Sequence, residues 1–306
     1  MKSQSNKSVV CFGEVLWDLL PGGKKPGGAP MNVAYHLHKL GLKSHMISSV
    51  GQDEAGLELL DFLKSIELPL TYIQQDALHQ TSAVQATVGD NHEVSYDILF
   101  PVAWDFIRWE PAHEQLISNA DAFIFGSLGS RNETSREALL KMLDYAKYRV
   151  FDVNIREPHY TQDFVIQLLD KCDLVKLNLA ELEMIAGWFN PACINELERI
   201  ELLFERFNFQ EVIITKGGKG ATYYTETIRY DYPAYPVDVQ DTVGSGDSFL
   251  AAFLAMKLSD EPLEEVLNYA VAMGAFVTAQ SGACPEYSKF DFDRFIWKRS
   301  LTNLHF

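Results

Sequence analysis

Asp241-Thr242-Val243-Gly244-Ser245-Gly246-Asp247-Ser248-Phe249 is the stretch on which the reading of this chain turns. A run rich in Tyr, Pro and Val precedes it and reads as strand ends. An apolar run from Phe249 to Leu258 follows and reads as a buried helix. Two glycines flank a serine just before that helix. The first N–H groups of a helix have no intrahelical acceptor, so such a loop can hold an anion. Asp247 falls in the first helical turn, beside the anion position. A carboxylate there weakens phosphate binding but is well placed to take a proton from a hydroxyl that attacks a phosphate. The helix terminus should lower its pKa and make it a weak base.

Working outward, strand and helix patterns alternate. Val9 to Gly13 reads as a buried central strand, followed by the acids Glu14 and Asp18. Asp18 is either a ligand at a strand's carboxyl end or a solvated acid or helix cap. Pro21 to Pro30 reads as a flexible, turn-rich segment, and Met31 to Leu40 as a helix stopped by Gly41. His36 and His38 lie two apart, so they face different sides of that helix and read as surface or rim residues. Asp53 is an expected N-cap. Tyr72 to Gln75, Ser82 to Val88 and Glu93 to Ile98, with a turn at Gly89-Asp90-Asn91, predict a small antiparallel sheet over the main body, a lid. Beyond Asp121, βα alternation resumes through Asn154, Asn178 and Thr215 and ends in two long helices, Gly246 to Leu258 and Leu263 to Ala279. The expected fold is α/β, with a doubly wound, mostly parallel central sheet flanked by helices.

Composition narrows the partners. The formal net charge is −16, which disfavours nucleic acid and acidic membranes. No stretch has the length of a membrane helix. The four cysteines lack CxxC spacing, so zinc and disulfide scaffolds are not expected and a reduced, cytoplasmic setting is. A GxSxG elbow, a Walker A motif and a GxGxxG after the first strand are all missing, which weighs against triad hydrolases, P-loop kinases and dinucleotide oxidoreductases.

Taken together, these stretches resemble the ribokinase/PfkB family of sugar and nucleoside kinases over nearly the whole chain. Asp241 to Asp247 resembles the family's DTxGAGD signature, with Ser245 for alanine. Gly27-Gly28-Ala29-Pro30-Met31-Asn32 resembles its glycine-rich signature. Asn178-Leu179-Ala180-Glu181 resembles its NxxE motif, with Leu179 where an acid is usual. Thr215-Lys216-Gly217-Gly218-Lys219-Gly220 resembles its nucleotide strand and turn. The resemblance implies one ribokinase-like domain over residues 1–306, with lid segments near 14–27 and 70–104. It implies Asp247 as base, with Gly244, Ser245 and Gly246 as the anion hole. Asp18, Gly28 and Asn32 would hold the sugar. Asn178, Glu181, Thr215, Gly217 and Gly220, with Gly244 and Gly246, would face ATP. Asn178 and Glu181 would sit in the outer shell of Mg2+. Asp241, Val243, Val277, Gln280 and Gly282 would carry a monovalent cation such as K+.

The segment around Gly13 to Asn32 looks most like bacterial fructokinases; ribokinases usually carry lysine where Ala29 stands. Asp152-Val153-Asn154-Ile155-Arg156 resembles the family's DPNxR stretch, with Val153 for proline. Arg156 would reach the sugar or a substrate carboxylate, or else form a salt bridge at the rim. Fructose is therefore the leading substrate. 2-Keto-3-deoxygluconate, another small sugar, a nucleoside or riboside, or a non-catalytic sugar sensor are the alternatives. A homodimer joined through the lid sheets is expected, because exposed edge strands are usually paired or covered.

Overall fold

The computed structural model describes residues 6–20, 23–88 and 94–302. In chain order the strands are β1 (Ser8–Phe12), β2 (Leu16–Leu20), β3 (Gly23–Gly27), β4 (Lys43–Gly51), β5 (Ile73–Asp76), β6 (Ser82–Val88), β7 (Val94–Ile98), β8 (Ala122–Gly126), β9 (Arg149–Asp152), β10 (Leu174–Asn178), β11 (Glu211–Thr215), β12 (Ala221–Tyr224) and β13 (Arg229–Tyr232). The helices are α1 (Ala29–Lys39), α2 (Glu54–Ser65), α3 (Pro111–Asn119), α4 (Glu133–Leu143), α5 (Gln162–Leu169), α6 (Leu179–Phe189), α7 (Glu196–Arg206), α8 (Ser245–Lys257), α9 (Leu263–Thr278) and α10 (Lys289–Thr302).

Nine strands form one sheet in the order β13-β12-β11-β10-β9-β8-β1-β4-β5. The strands from β5 to β11 pair in parallel, and β12 and β13 close one edge antiparallel. Side chains of β1 alternate between the faces. Val9 and Cys11 pack with α1, α8 and α9, whereas Val10 and Phe12 pack with α4 and α5. Both faces are therefore covered, which is why the strands read as apolar runs. α8 is buried continuously from Ser248 to Met256, so its run carries no amphipathic period.

A second sheet, in the order β3-β2-β6-β7, lies apart from the first. It differs from the expected antiparallel sheet in two ways. β2 pairs with β6 in parallel, and the strand near Tyr72 is β5, which pairs with β4 at the edge of the main sheet. The apolar Ile73 and the buried Asp76, which accepts the Leu78 and His79 amides, hold β5 there. The segment after Pro21, expected to be flexible, contains β3, whose register pairs Asp18 with Lys25 and Leu16 with Gly27. The turn expected at residues 89–91 lies outside the described residues.

Asp53 caps α2 as expected, accepting from the Gly56 amide at 2.8 Å. His36 departs furthest from the expected surface or rim position. It is fully buried, because α1 is enclosed by the sheet, α8 and the segment before α10. Its Nε2 donates to the Ala283 carbonyl and its Nδ1 accepts from the Tyr287 hydroxyl, each at 2.9 Å. Burial pushes its pKa down to about 4 and keeps it neutral.

Candidate active site

The carboxyl ends of β1, β9, β10 and β11 reach the same edge of the sheet, and the start of α8 faces them. In an open parallel sheet this edge is where ligands bind. Two adjoining cavities occupy it. One, of about 300 Å³, is lined by Asp18, Asn32, Arg156, Asn178, Glu181 and Asp247 among others. The other, of about 590 Å³, is more apolar, with Tyr235, Phe249 and Val271 facing Gly217, Gly220 and Thr278. Thr215, Thr242 and Gly246 line both. The N-terminal turn of α8 is thus the partition between the two spaces.

Gly244 is the N-cap of α8 in a left-handed conformation, with φ 75°. A Cβ there would lie 2.6 Å from Ala283 Cα, so a side chain is excluded by strain and by contact. α8 has no side-chain cap, which leaves first-turn amides for a ligand. Of the three residues expected to form the anion hole, Ser245 is partly committed. Its amide bonds the Thr242 carbonyl at 3.3 Å, and its hydroxyl reaches the Gly274 carbonyl on α9 at 3.3 Å. Gly246 lies against a cation: a Cβ on it would sit 3.3 Å from Lys176 Nζ.

Asp247 accepts from Asn32 Nδ2 at 2.8 Å. The helix terminus was expected to lower its pKa. The opposite holds: burial, and then the charge of Asp152, push it up to about 6, against the opposing pull of Lys176, Asn32 and Arg156. The environment overrides the dipole because the surrounding protein desolvates a carboxylate that is half-buried at the cavity wall. Asp18, likewise pushed up to about 6 by burial and by Asp247 and Asp241, stands on β2 and looks into the same cavity. It is neither a loop acid nor a helix cap. Gly28 precedes α1 with φ 111°, and a Cβ on it would overlap the Glu14 carbonyl. Arg156 lies exposed at the cavity rim, its Nη1 on the Ile155 carbonyl at 3.2 Å; among the described residues it forms no ion pair.

Asn178 and Glu181 form a capping box on α6. Asn178 Oδ1 accepts the Glu181 amide at 2.9 Å, and Glu181 Oε2 accepts the Asn178 amide at 2.8 Å. Glu181 Oε1 also accepts the Ile155 amide at 3.0 Å, tying the first turn of α6 to the segment after β9. Both residues line the polar cavity. Thr215 ends β11, and its hydroxyl bonds the Leu177 carbonyl at 3.4 Å. Asp241 ties two loops: Oδ1 accepts from Val243 and Oδ2 from Gly282, both at 3.0 Å. The Val277 carbonyl accepts the Gln280 amide at 2.8 Å. The residues expected around a monovalent cation are thus gathered at one corner of the site.

Lys176 and Asp152 were not singled out from the sequence. They are register partners on β10 and β9, joined by two 2.8 Å contacts, and both are buried. Periodicity would place Lys176 inside a central strand, where a lysine is anomalous; that anomaly was the available signal.

A model of the pfkB family carbohydrate kinases matches residues 7–289. Probable fructokinase-2 of Arabidopsis thaliana is 30% identical, covering 90% of this chain and 92% of that protein. Fructokinase-2 of Solanum lycopersicum is 29% identical, covering 92% of this chain and 94% of that protein. Among solved structures, fructokinase from Xylella fastidiosa with bound ATP superposes with a TM-score of 0.85 at 23% identity, over 96% of this chain and 99% of that one. A Vibrio cholerae fructokinase double mutant, in a form with bound fructose, ADP and potassium ion, gives 0.82 at 22% identity, over 96% and 100%. At such identities these structures speak for the ribokinase-like fold. The match along almost the whole chain, with relatives at 30% identity, settles kinship: this chain belongs to the pfkB family of carbohydrate kinases.

Proposed function

We propose that this kinase transfers the γ-phosphoryl group of ATP to a terminal hydroxyl of fructose. The observation that carries the reading is that Asp247 lines the polar cavity directly after Gly246, which lines both cavities. The polar cavity suits a sugar: Asp18 and Asn32 offer a carboxylate and an amide to vicinal hydroxyls, and each bond to a charged group contributes about 1.5–3 kcal/mol. The apolar cavity suits a purine, with Tyr235, Phe249 and Val271 against the base and the Gly217 turn near the phosphates. The fructokinase names of the curated relatives favour fructose.

Asp247 takes the proton of the attacking hydroxyl. Its raised pKa makes it a stronger base than a solvated aspartate, and it remains ionised at neutral pH. The amides at the start of α8 and the Lys176 ammonium meet the charge on the phosphoryl group in transit. Lys176 also holds Asp152 through its two 2.8 Å contacts. Mg2+ would accompany ATP, as in the solved putative ribokinase II complex from E. coli with ATP and Mg2+. The side-chain oxygens of Asn178 and Glu181 fit waters of its hydration shell. The Asp241 corner suits K+ through carbonyls of Asp241, Val243 and Gly282.

A cytoplasmic enzyme fits this reading; among the described residues no helix is long and apolar enough to cross a membrane. The small sheet, as a lid on one domain, has outer strands β3 and β7, and Leu19 and Leu99 are exposed beside them. A homodimer through that sheet fits this, and light scattering on the eluting protein tests it. The guanidinium of Arg156, exposed and in no ion pair among the described residues, favours one second reading, a sugar acid such as 2-keto-3-deoxygluconate. A panel of sugars in an ADP-release assay separates the two, with fructose expected to give the highest kcat/KM.

A further inference from the structure

Glu14 has no part in the chemistry above, yet its placement is costly. It lies in the three-residue link between β1 and β2, where the main sheet hands the chain to the small one. Its residue exposure is 2%. Oε1 accepts the Ala29 amide at the start of α1, at 3.3 Å. Oε2 is buried and, among the described residues, meets no donor. Buried carboxylate oxygens are almost always satisfied, because an unmet one carries its full desolvation cost.

Space for this side chain is built in. A Cβ on Gly129 would fall 3.1 Å from Oε2 and 2.6 Å from Gly13 Cα. Glu14 also lines the polar cavity beside Asp18, Asn32 and Asp247. Burial raises its pKa to about 7, with Asp247 adding to the rise and Arg156 opposing it. A carboxyl of that kind can accept from a hydroxyl or, when protonated, donate to one.

We propose that Glu14 is a sugar-binding residue: its carboxyl, enclosed beside Gly129 in this structure, turns toward the polar cavity so that Oε2 hydrogen-bonds a hydroxyl of the sugar held between Asp18 and Asn32. The small sheet would then be linked to the occupied site through the residue that begins it. This inference rests on the sugar-kinase reading of the same cavity. Glu14→Leu and Glu14→Gln are compared with the wild type for KM of fructose and of ATP, and for the melting shift produced by fructose alone. Removing a bond to a carboxyl is expected to raise the KM of fructose about 10- to 100-fold in Glu14→Leu and to abolish its fructose-induced melting shift, with the KM of ATP within about twofold. Glu14→Gln, isosteric and still hydrogen-bonding, is expected to raise it by about 3- to 10-fold, and it decides the matter if the leucine variant does not fold. A folded variant with wild-type KM for fructose, or with both KM values moved together, would overturn the assignment. Absence of turnover by the wild type on every sugar would instead refute the functional reading.

Discussion

Asn32 Nδ2 donates to Asp247 Oδ2 at 2.8 Å, joining the first helix of the chain to the eighth across 215 residues of sequence. This bond favours the charged carboxylate and opposes the burial that raises its pKa. Asp247 must be ionised to accept a proton, so activity falls as pH drops through its pKa of about 6. Asn32→Ala removes the donor. The acid limb of the kcat/KM profile is expected to move to higher pH by up to about one unit, with a raised KM for sugar. A pH profile of the variant between pH 5 and 8 checks it; an unmoved limb would contradict the role.

The same burial sets a stability cost. For a carboxyl whose folded pKa is raised, the stabilising contribution is fully present below the unfolded pKa, near 4, and is lost as pH rises through about 6. Asp247→Asn is therefore expected to be more stable than the wild type at pH 8, by about 1–3 kcal/mol, with the gap closing toward pH 5. The comparison between the two proteins matters, because His36, held neutral by burial, works in the opposite direction over part of this range. Urea unfolding of both proteins at the two pH values measures the gap.

Gly244→Ala places a methyl group 2.5 Å from Ala283 Cβ on a backbone with φ 75°. Loss of about 1–3 kcal/mol of stability is expected, together with a fall in kcat as the first turn of α8 shifts. Thermal melting and saturation kinetics report the two effects separately.

Lys176→Met leaves Asp152 buried without its partner and is expected to destabilise the protein by about 3–5 kcal/mol. Adding Asp152→Asn should restore much of that stability and none of the turnover, because the cation beside Gly246 stays missing. Recovery of activity in the double variant would show that Lys176 serves the fold alone.

Much of this was legible because it is local. The glycines around Ser245, the apolar run of α8 and the Asp53 cap declare themselves within a few residues. The parallel sheet follows from strands that alternate with helices. What was not legible depends on long-range packing. His36 looks like a rim residue until Ala283 and Tyr287, some 250 positions away, close over it. Lys176 and Asp152 acquire meaning only as register partners on adjacent strands. β5 has the composition of the small sheet, yet it pairs with β4, because the free edge of the main sheet lies within its reach. The pKa of Asp247 departs from the sequence expectation for the same reason: the dipole is local, whereas the burial comes from distant elements.

The central claim is that Asp247 is the base in a sugar cavity that adjoins a nucleotide cavity. The direct test is ADP release with fructose, ATP and Mg2+ by the wild type and by Asp247→Asn, with folding verified by melting. The account predicts fructose-dependent ADP release by the wild type and a fall in kcat of about 10²–10⁴-fold in the variant, with the fructose-induced melting shift retained. Fructose-dependent turnover in Asp247→Asn equal to that of the wild type would contradict it.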